Sequence, residues 1–353
     1  MSITRDIKNY VCTEDISIFK AMKKIESLGN KGKKAGRSNM FLLIIKKNNF
    51  LLGTLTDGDI RRGIINGLSL ESCVSECMEK NFVTGMIGED EKNKILLDKI
   101  SKSSSFLPII DKNGHVKKVL INRSSNFKLN VLVMAGGFGK RLGKLTKNMP
   151  KPLLSVNGTP IIENILLNIE NNTNFKNIYI STHFLAEKIE KYIKNRSNSE
   201  NIKFIREKKP LGTAGSIQNI EDREQNHLLV VNGDLVINLD FSALANFHFE
   251  NTFDATIAVA RHEVNVPFGV IHFDKNGDFE EIKEKPNIIN YVSAGINILS
   301  PKFQKLVNSE KKIDMPELLS IGRSLNLKIG IFPLHEKWID LGNLEDLKKI
   351  NEK

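Results

Sequence analysis

The sequence predicts an α/β protein in two parts: a mostly parallel sheet with helices on both faces, preceded by a smaller α/β module built from a tandem repeat. Three observations carry this. Beyond residue 127, apolar strand-like runs alternate with stretches of helical period, the pattern of βαβ units. Ahead of it, one order of helix, strand, turn and strand occurs twice. Between them lies a polar segment, NRSSNFKLN from Asn122 to Asn130, followed at once by the apolar VLVMA, which is how a linker ahead of a new domain reads. The boundary therefore falls near 127, dividing the 353 residues into 1–126 and 127–353.

In the front part, the first repeat runs through ISIFKAMKKI and MFLLIIKKNNFLLGTLTDGDIRR, the second through NKILLDKI and SFLPIIDKNGHVKKVLINRSS. A unit of about 60 residues cannot cover its own sheet, so the two copies are expected to pack together. Within GTLTDGDI, Thr56 and Asp59 offer a hydroxyl and a carboxylate three positions apart. That pair suits the vicinal hydroxyls of a ribose, and it equally suits a helix N-cap at a strand end. The tandem resembles a CBS domain pair, and GTLTDGDI fills the family's Gly, Ser/Thr and Asp positions; the resemblance implies a regulatory ribonucleotide held by Thr56 and Asp59. In the second copy Ile121 and Ser124 align with them, so one site per chain is expected.

In the second part, strands are expected over 131–135, 178–182, 202–205, 228–233 and 255–260, and helices over 160–170, 184–195, 214–220 and 241–250. The first strand delivers the chain through Ala135 into Gly136, Gly137 and Gly139, where missing side chains let backbone approach an anion. A Walker loop fails on spacing at Phe138 and Leu145, and a dinucleotide fingerprint fails at Leu142. HLLVVNGD places Asp234 at the carboxyl end of an apolar strand, where open parallel sheets bind ligands.

The run from Gly136 to Leu153 resembles the sugar-phosphate nucleotidyltransferases, whose pattern Gly-Gly-x-Gly-x-Arg-Leu, Thr, Pro-Lys-Pro-Leu is met by Gly136, Gly137, Gly139, Arg141, Leu142, Thr146, Pro150, Lys151, Pro152 and Leu153. Lys140 and Lys144 depart from residues common there. The likeness implies a Rossmann-like nucleotide-diphospho-sugar transferase fold over 129–350. It implies that Arg141 and Lys151 neutralise a nucleoside triphosphate, and that Ala135 and the glycine loop, with Gly212 and Thr213 of LGTAG, bind the nucleotide. Asp234 and Asp340 are implied as the carboxylates holding Mg2+. On the sugar side, the likeness implies that Glu284, Gly269 and Gly295 contact the sugar and Lys285 its phosphate. The implied reaction joins a nucleoside triphosphate to a sugar 1-phosphate. With the front pair, the architecture is most similar to guanylyltransferases of legionaminic-type acid pathways acting on glucosamine 1-phosphate, a likeness supported by SAGINIL and DMPELL. Mannose- or heptose-phosphate guanylyltransferases and thymidylyltransferases remain alternatives, as does a non-catalytic nucleotide-sugar sensor.

The net charge of +11 is concentrated in residues 1–126, with 22 basic and 14 acidic side chains against 30 and 27 beyond. The densest basic cluster, Lys31 to Arg37, has no interleaved aromatics, so no nucleic-acid partner is expected. Apolar runs such as Met40–Ile45 are far shorter than the roughly 20 residues that span a bilayer, so no membrane partner is expected either. Three cysteines and the polar opening MSITRDIKNY point to a reducing cytoplasm, and the repeat module to a homo-oligomer.

Overall fold

In the front part, each repeat is built around one antiparallel hairpin. The computed structural model describes residues 2–31, 41–100, 106–122, 129–172, 175–307 and 311–342. The chain opens with β1 (Ser2–Asp6), β2 (Val11–Thr13) and α1 (Ile18–Lys31), then β3 (Phe41–Ile45), β4 (Leu51–Thr56) and α2 (Asp57–Ile65). The second repeat supplies β5 (Gly85–Met86), α3 (Asp90–Ile100), β6 (Phe106–Ile110) and β7 (Val116–Asn122). Two sheets result, ordered β2-β3-β4 and β1-β7-β6-β5. The hairpins β3–β4 and β6–β7 hold equivalent places, and their first residues, Phe41 and Phe106, stack with ring centroids 3.7 Å apart and planes 5° from parallel. β1 crosses to the second repeat, pairing Ser2 with Asn122.

The second part begins with β8 (Leu129–Met134), the short hairpin β9 (Ser155–Val156) and β10 (Thr159–Pro160), α4 (Ile161–Asn172), β11 (Phe175–Thr182), α5 (Ala186–Lys194) and β12 (Ile202–Arg206). It continues through α6 (Gly212–Gly215), β13 (His227–Asn232), β14 (Leu235–Ile237), α7 (Phe241–Glu250) and β15 (Ala255–Asn265). It closes with β16 (Val270–Phe273), β17 (Phe279–Lys283), β18 (Asn287–Leu299), α8 (Pro301–Gln304), α9 (Met315–Ser324), β19 (Ile329–Leu334) and β20 (Trp338–Asp340). Seven strands form one sheet, β12-β11-β8-β13-β18-β15-β19, parallel except that β18 runs against β13 and β15. Both faces are covered, which is why the strands read as unbroken apolar runs. On β8, Val131 and Val133 enter one core with Ile161, Ile165 and Leu244, while Leu132 enters the other with Val230, Phe303 and Leu318. The chain leaves β8 toward β11 on one side and later returns to β13 on the other, so a crevice opens at their carboxyl ends.

Two expectations need correction. The helix expected over 214–220 is a single turn, α6, followed by a 3-10 turn over 216–219. Its glycines give the segment little helical preference, and backbone contacts to 313 fix it instead. The strand expected to end at 260 runs on to Asn265, because β18 supplies a partner along its whole length.

A buried arginine joins the two parts. Arg61 on α2, 1% exposed, donates to Asp57 Oδ2 at 2.6 Å, to Glu336 Oε1 at 2.9 Å and to the Pro333 carbonyl, with its guanidinium 3.8 Å over the Phe332 ring. Burial alone would push the Glu336 carboxyl up, but Arg61 and His335 outweigh it and hold the group at about 2. Because that value lies below the ordinary 4.5, the pair's contribution to stability is present above about 4.5 and is lost as pH falls toward 2. Arg61→Met, which strands Glu336 and Asp57 in a dry interface, is expected to lower stability by about 3–5 kcal/mol in urea denaturation of the full chain. Arg61→Met combined with Glu336→Met and Asp57→Asn is expected to recover much of that loss and to flatten the acid limb, since neither carboxylate remains unpaired.

Candidate active site

A cleft of about 250 Å3 lies at the carboxyl ends of β8 and β13. Its floor is Met134 to Phe138 after β8 and Asn232 to Asp234 after β13; Lys151, Pro152, Glu207, Pro210, Gly212 and Thr213 complete the lining. Ala135, Gly136, Gly137, Lys151, Gly212, Thr213 and Asp234 are thus brought together. Gly139 stands one step back: it turns the chain with φ +61°, and its carbonyl accepts from Thr146 Oγ1 at 2.9 Å. The side chain of Arg141 lies outside the described residues.

Lys151 sits in a 3-10 turn started by Pro150 and carrying Pro152, and its stem is buried. Its ammonium lies 2.5 Å from Asp234 Oδ2 and 4.0 Å from Asp340 Oδ1. The two aspartates meet because β14 pairs with β20, and Leu341 N donates to the Asp234 carbonyl at 3.2 Å. Trp338 Nε1 fixes β20 by donating to the Ala294 carbonyl at 3.0 Å. The neighbour of Ala294, Gly295, has φ +71°, and a Cβ there would lie 2.5 Å from Asn232 Nδ2, so any other residue would be strained and would have to displace the Asn232 side chain from the cleft wall.

Two hard carboxylates with a cation already between them are a donor set that fits a divalent metal such as Mg2+, which takes few protein ligands and fills its remaining positions with substrate phosphate and water. Among the described residues no group of three or more His, Cys, Asp or Glu converges.

The far wall is held by Glu207, which the sequence did not single out, and by Asp314, which opens DMPELL. Glu207, buried, accepts from Leu211 N at 2.9 Å and from the Ser181 hydroxyl. Asp314 Oδ1 accepts from Thr213 N at 2.9 Å, Thr213 Oγ1 accepts from Met315 N at 2.8 Å, and Ala214 N donates to the Ile313 carbonyl at 3.1 Å. Gly212, at φ +82°, leaves room for that carbonyl, which would stand 2.4 Å from an added Cβ. The only sequence signal for these partners is their place beside LGTAG and before α9.

Gly269, Glu284 and Lys285 do not line the cleft. They lie at the base of the β16–β17 hairpin, where Lys285 N donates to the Phe268 carbonyl at 3.2 Å and the Glu284 carboxylate packs on Gly269. Lys285 and Glu284 are exposed there.

A second cavity, about 280 Å3, lies between the front repeats and the end of α7. Thr56 and Asp59 line it with Thr54, Arg62, Glu79, Asn81, Phe82, Phe106, Glu250 and Asn251. They also cap α2: Thr56 N and Oγ1 donate to Asp59 Oδ2 at 2.7 and 2.8 Å, and Arg62 donates to Oδ1. Burial pushes the Asp59 carboxyl up from its usual range, and does the same to Glu250, which reaches about 7. Ile121 is buried in the front core, and Ser124 lies outside the described residues.

A family model for nucleotidyl transferases matches residues 130–353. The chain belongs to the nucleotidyl transferase family. It is 28% identical over 232 residues to the bifunctional protein GlmU of Methanocaldococcus jannaschii, an alignment covering 64% of this chain and 54% of that protein. It is 30% identical over 229 residues to the mannose-1-phosphate guanyltransferase of Yarrowia lipolytica, with 61% of each covered. The chain therefore spans little more than half the length of these relatives. A crystal structure from Bacillus anthracis, designated a glucose-1-phosphate thymidylyltransferase, superposes with a TM-score of 0.51 at 19% identity over 64% of this chain and 94% of that one, a likeness of fold. No helix among the described residues is long and apolar enough to cross a membrane.

Glu207→Ala is expected to free the amide of Leu211, raising its hydrogen-exchange rate at least about tenfold, since roughly 1.5–3 kcal/mol is typical of a hydrogen bond to a charged group. Glu207→Gln, which can still accept from Leu211 N and bond Ser181, is expected to leave it slow. Fast exchange in both variants would show that the loop needs the charge itself.

Proposed function

We propose that this nucleotidyl transferase moves a nucleotidyl group from a nucleoside triphosphate, GTP above others, to a sugar 1-phosphate, glucosamine 1-phosphate above others, giving an NDP-sugar and pyrophosphate. The observation that carries the reading is the Lys151 ammonium between Asp234 and Asp340 at the mouth of a glycine-floored cleft. The name of the guanyltransferase relative supports the guanine base.

In this reaction a phosphate oxygen of the sugar 1-phosphate attacks the α-phosphorus, and the bond from that phosphorus to the bridging oxygen breaks as pyrophosphate leaves. The attacking oxygen is already anionic, so no side chain need remove a proton; positioning and charge neutralisation carry the rate. Gly136 and Gly137 offer backbone to the phosphates without a side chain in the way. Arg141 and Lys151 supply the positive charge, and the 211–215 loop receives base and ribose. Bound Mg2+, held by Asp234 and Asp340, would screen phosphate charge. Glu284 and Gly269, with Gly295, take the sugar, and Lys285 its phosphate.

Pyrophosphate release over a panel of four triphosphates with glucosamine, mannose, heptose and glucose 1-phosphates tests this. GTP with glucosamine 1-phosphate is expected to lead, and Asp234→Asn or Asp340→Asn to lower turnover by at least about a hundredfold with the fold retained, on the scale of losing one group that stabilises transition-state charge. No pyrophosphate with any pair would favour a nucleotide-sugar sensor, and preference for mannose, heptose or thymidine substrates would reassign the product.

For the front part we propose a CBS pair that binds one ribonucleotide through Thr56 and Asp59. Asp59, Glu79 and Glu250 face the cavity against Arg62, while Arg61 is turned away into the joint between the two parts, so few phosphates are tolerated there. Calorimetry on the full Asp234→Asn chain is expected to give one site per chain for AMP, bound more tightly than ATP and abolished by Asp59→Asn. Two equivalent sites, or no heat, would overturn it.

A further inference from the structure

The β15–β18 hairpin continues beyond the main sheet as an arm that ends in β16 and β17. Ile271 faces Ile282 and Phe273 faces Phe279, with a register shift between His272 and Phe273. Cross-strand partners share a face, so the shift is what matters: simple alternation would put Phe279 and Ile282 on opposite faces, and the bulge puts them on one. The other face carries His272, Glu281 and Lys283, with Lys283 and Glu281 paired at 2.8 Å. The arm is therefore amphipathic, and its apolar face is bare: Ile271 and Ile282 are each 56% exposed, Phe273 and Phe279 each 66%. Phe268, just before β16, is 72% exposed.

A two-stranded hairpin has too little structure to stand alone in water, and an apolar sheet face must be covered by another layer. We propose that this face is a dimer interface, on which the same face of a second copy stacks about a two-fold axis to make a four-stranded, two-layer contact. An aromatic side chain offers about 150–250 Å2 and an isoleucine somewhat less, so the four paired residues, 56–66% exposed, leave roughly 450 Å2 of apolar surface on one copy and about 900 Å2 on two, close to the size at which a specific interface begins. The four paired side chains carry no charge, so the face is self-complementary as a two-fold contact requires, and two copies meet without burying an unpaired ion. The contact has a consequence for chemistry that rests on the sugar-side reading of Gly269 and Glu284: both flank the hairpin, so docking the arm fixes the segment that carries them.

The test is the mass of the full chain in solution, which does not depend on that reading. Sedimentation over a wide concentration range is expected to give a dimer, and Phe273→Asp with Phe279→Asp to raise its dissociation constant at least about a hundredfold. Ile95→Asp, at an equally exposed position on α3, is expected to leave the dimer intact. Should the aspartates disturb folding, Phe273→Thr with Phe279→Thr keeps strand preference while removing the apolar surface. Ile271→Cys is expected to form a disulfide between two copies under mild oxidation. A wild-type monomer at every concentration, or a dimer that survives the folded Asp or Thr variants, overturns the proposal.

Discussion

Two carboxylates held side by side repel, and the catalytic part is arranged around a cation that makes their closeness tolerable. Asp234 follows β13 and Asp340 ends β20, and the β14–β20 ladder sets them on adjacent strands. Both carboxylates lie within 4.0 Å of one ammonium, and like charges that share so small a space are unfavourable unless a cation lies with them. Lys151 supplies the compensation, and the rest of the local structure places Lys151. Prolines on either side limit its backbone, the turn from Gly139 to Thr146 leads the chain to it, and the β8–β13 crevice gives its stem a dry wall. The sheet order is thus a means of bringing three charged side chains from separate segments to one mouth.

The front part is tied to the same mouth. Arg61 grips Pro333 and Glu336, which bracket the end of β19, and the chain then runs directly into β20 and Asp340. On the same helix, Thr56 and Asp59 face the second cavity, with Glu250 and Asn251 of α7 closing it. A single helix, α2, therefore touches both a cavity between the two parts and the end of β19, from which the chain runs on to Asp340.

What the sequence disclosed follows from how chemistry is encoded locally. The glycine loop, Lys151 and Asp234 were legible because backbone approach to an anion, a fixed cation and a strand-end carboxylate each need a particular residue at a particular short spacing. Glu207 was not, since it stands in a charged run, REKK, that reads as solvent-facing; Asp314 opens DMPELL, but only tertiary contact with the 211–215 loop shows that either one holds that loop. The doublet Arg61-Arg62 shows the same limit. Neighbours on a helix point about 100° apart, so one enters the joint and the other the cavity, and nothing in the pair says which. Thr56 and Asp59 were legible as a spacing with two meanings, and the cap and the cavity wall turn out to be one geometry. The arm was missed as an amphipathic element because its bulge breaks the alternation that would have revealed it.

The lysine at the cleft mouth, Lys151, has a reason beyond charge. A buried cation is costly unless it is paired, and a cleft that fills and empties must keep it paired in both conditions. Lysine meets this: its four-carbon stem lets one ammonium with three donors lie between the carboxylates, and in the proposed reaction the same tip would turn toward phosphate. Arginine's larger planar fork would hold one carboxylate in a fixed geometry and yield it less readily. The position next to Asp234 therefore favours a point charge on a flexible stem, anchored by prolines at its root so that only the tip moves.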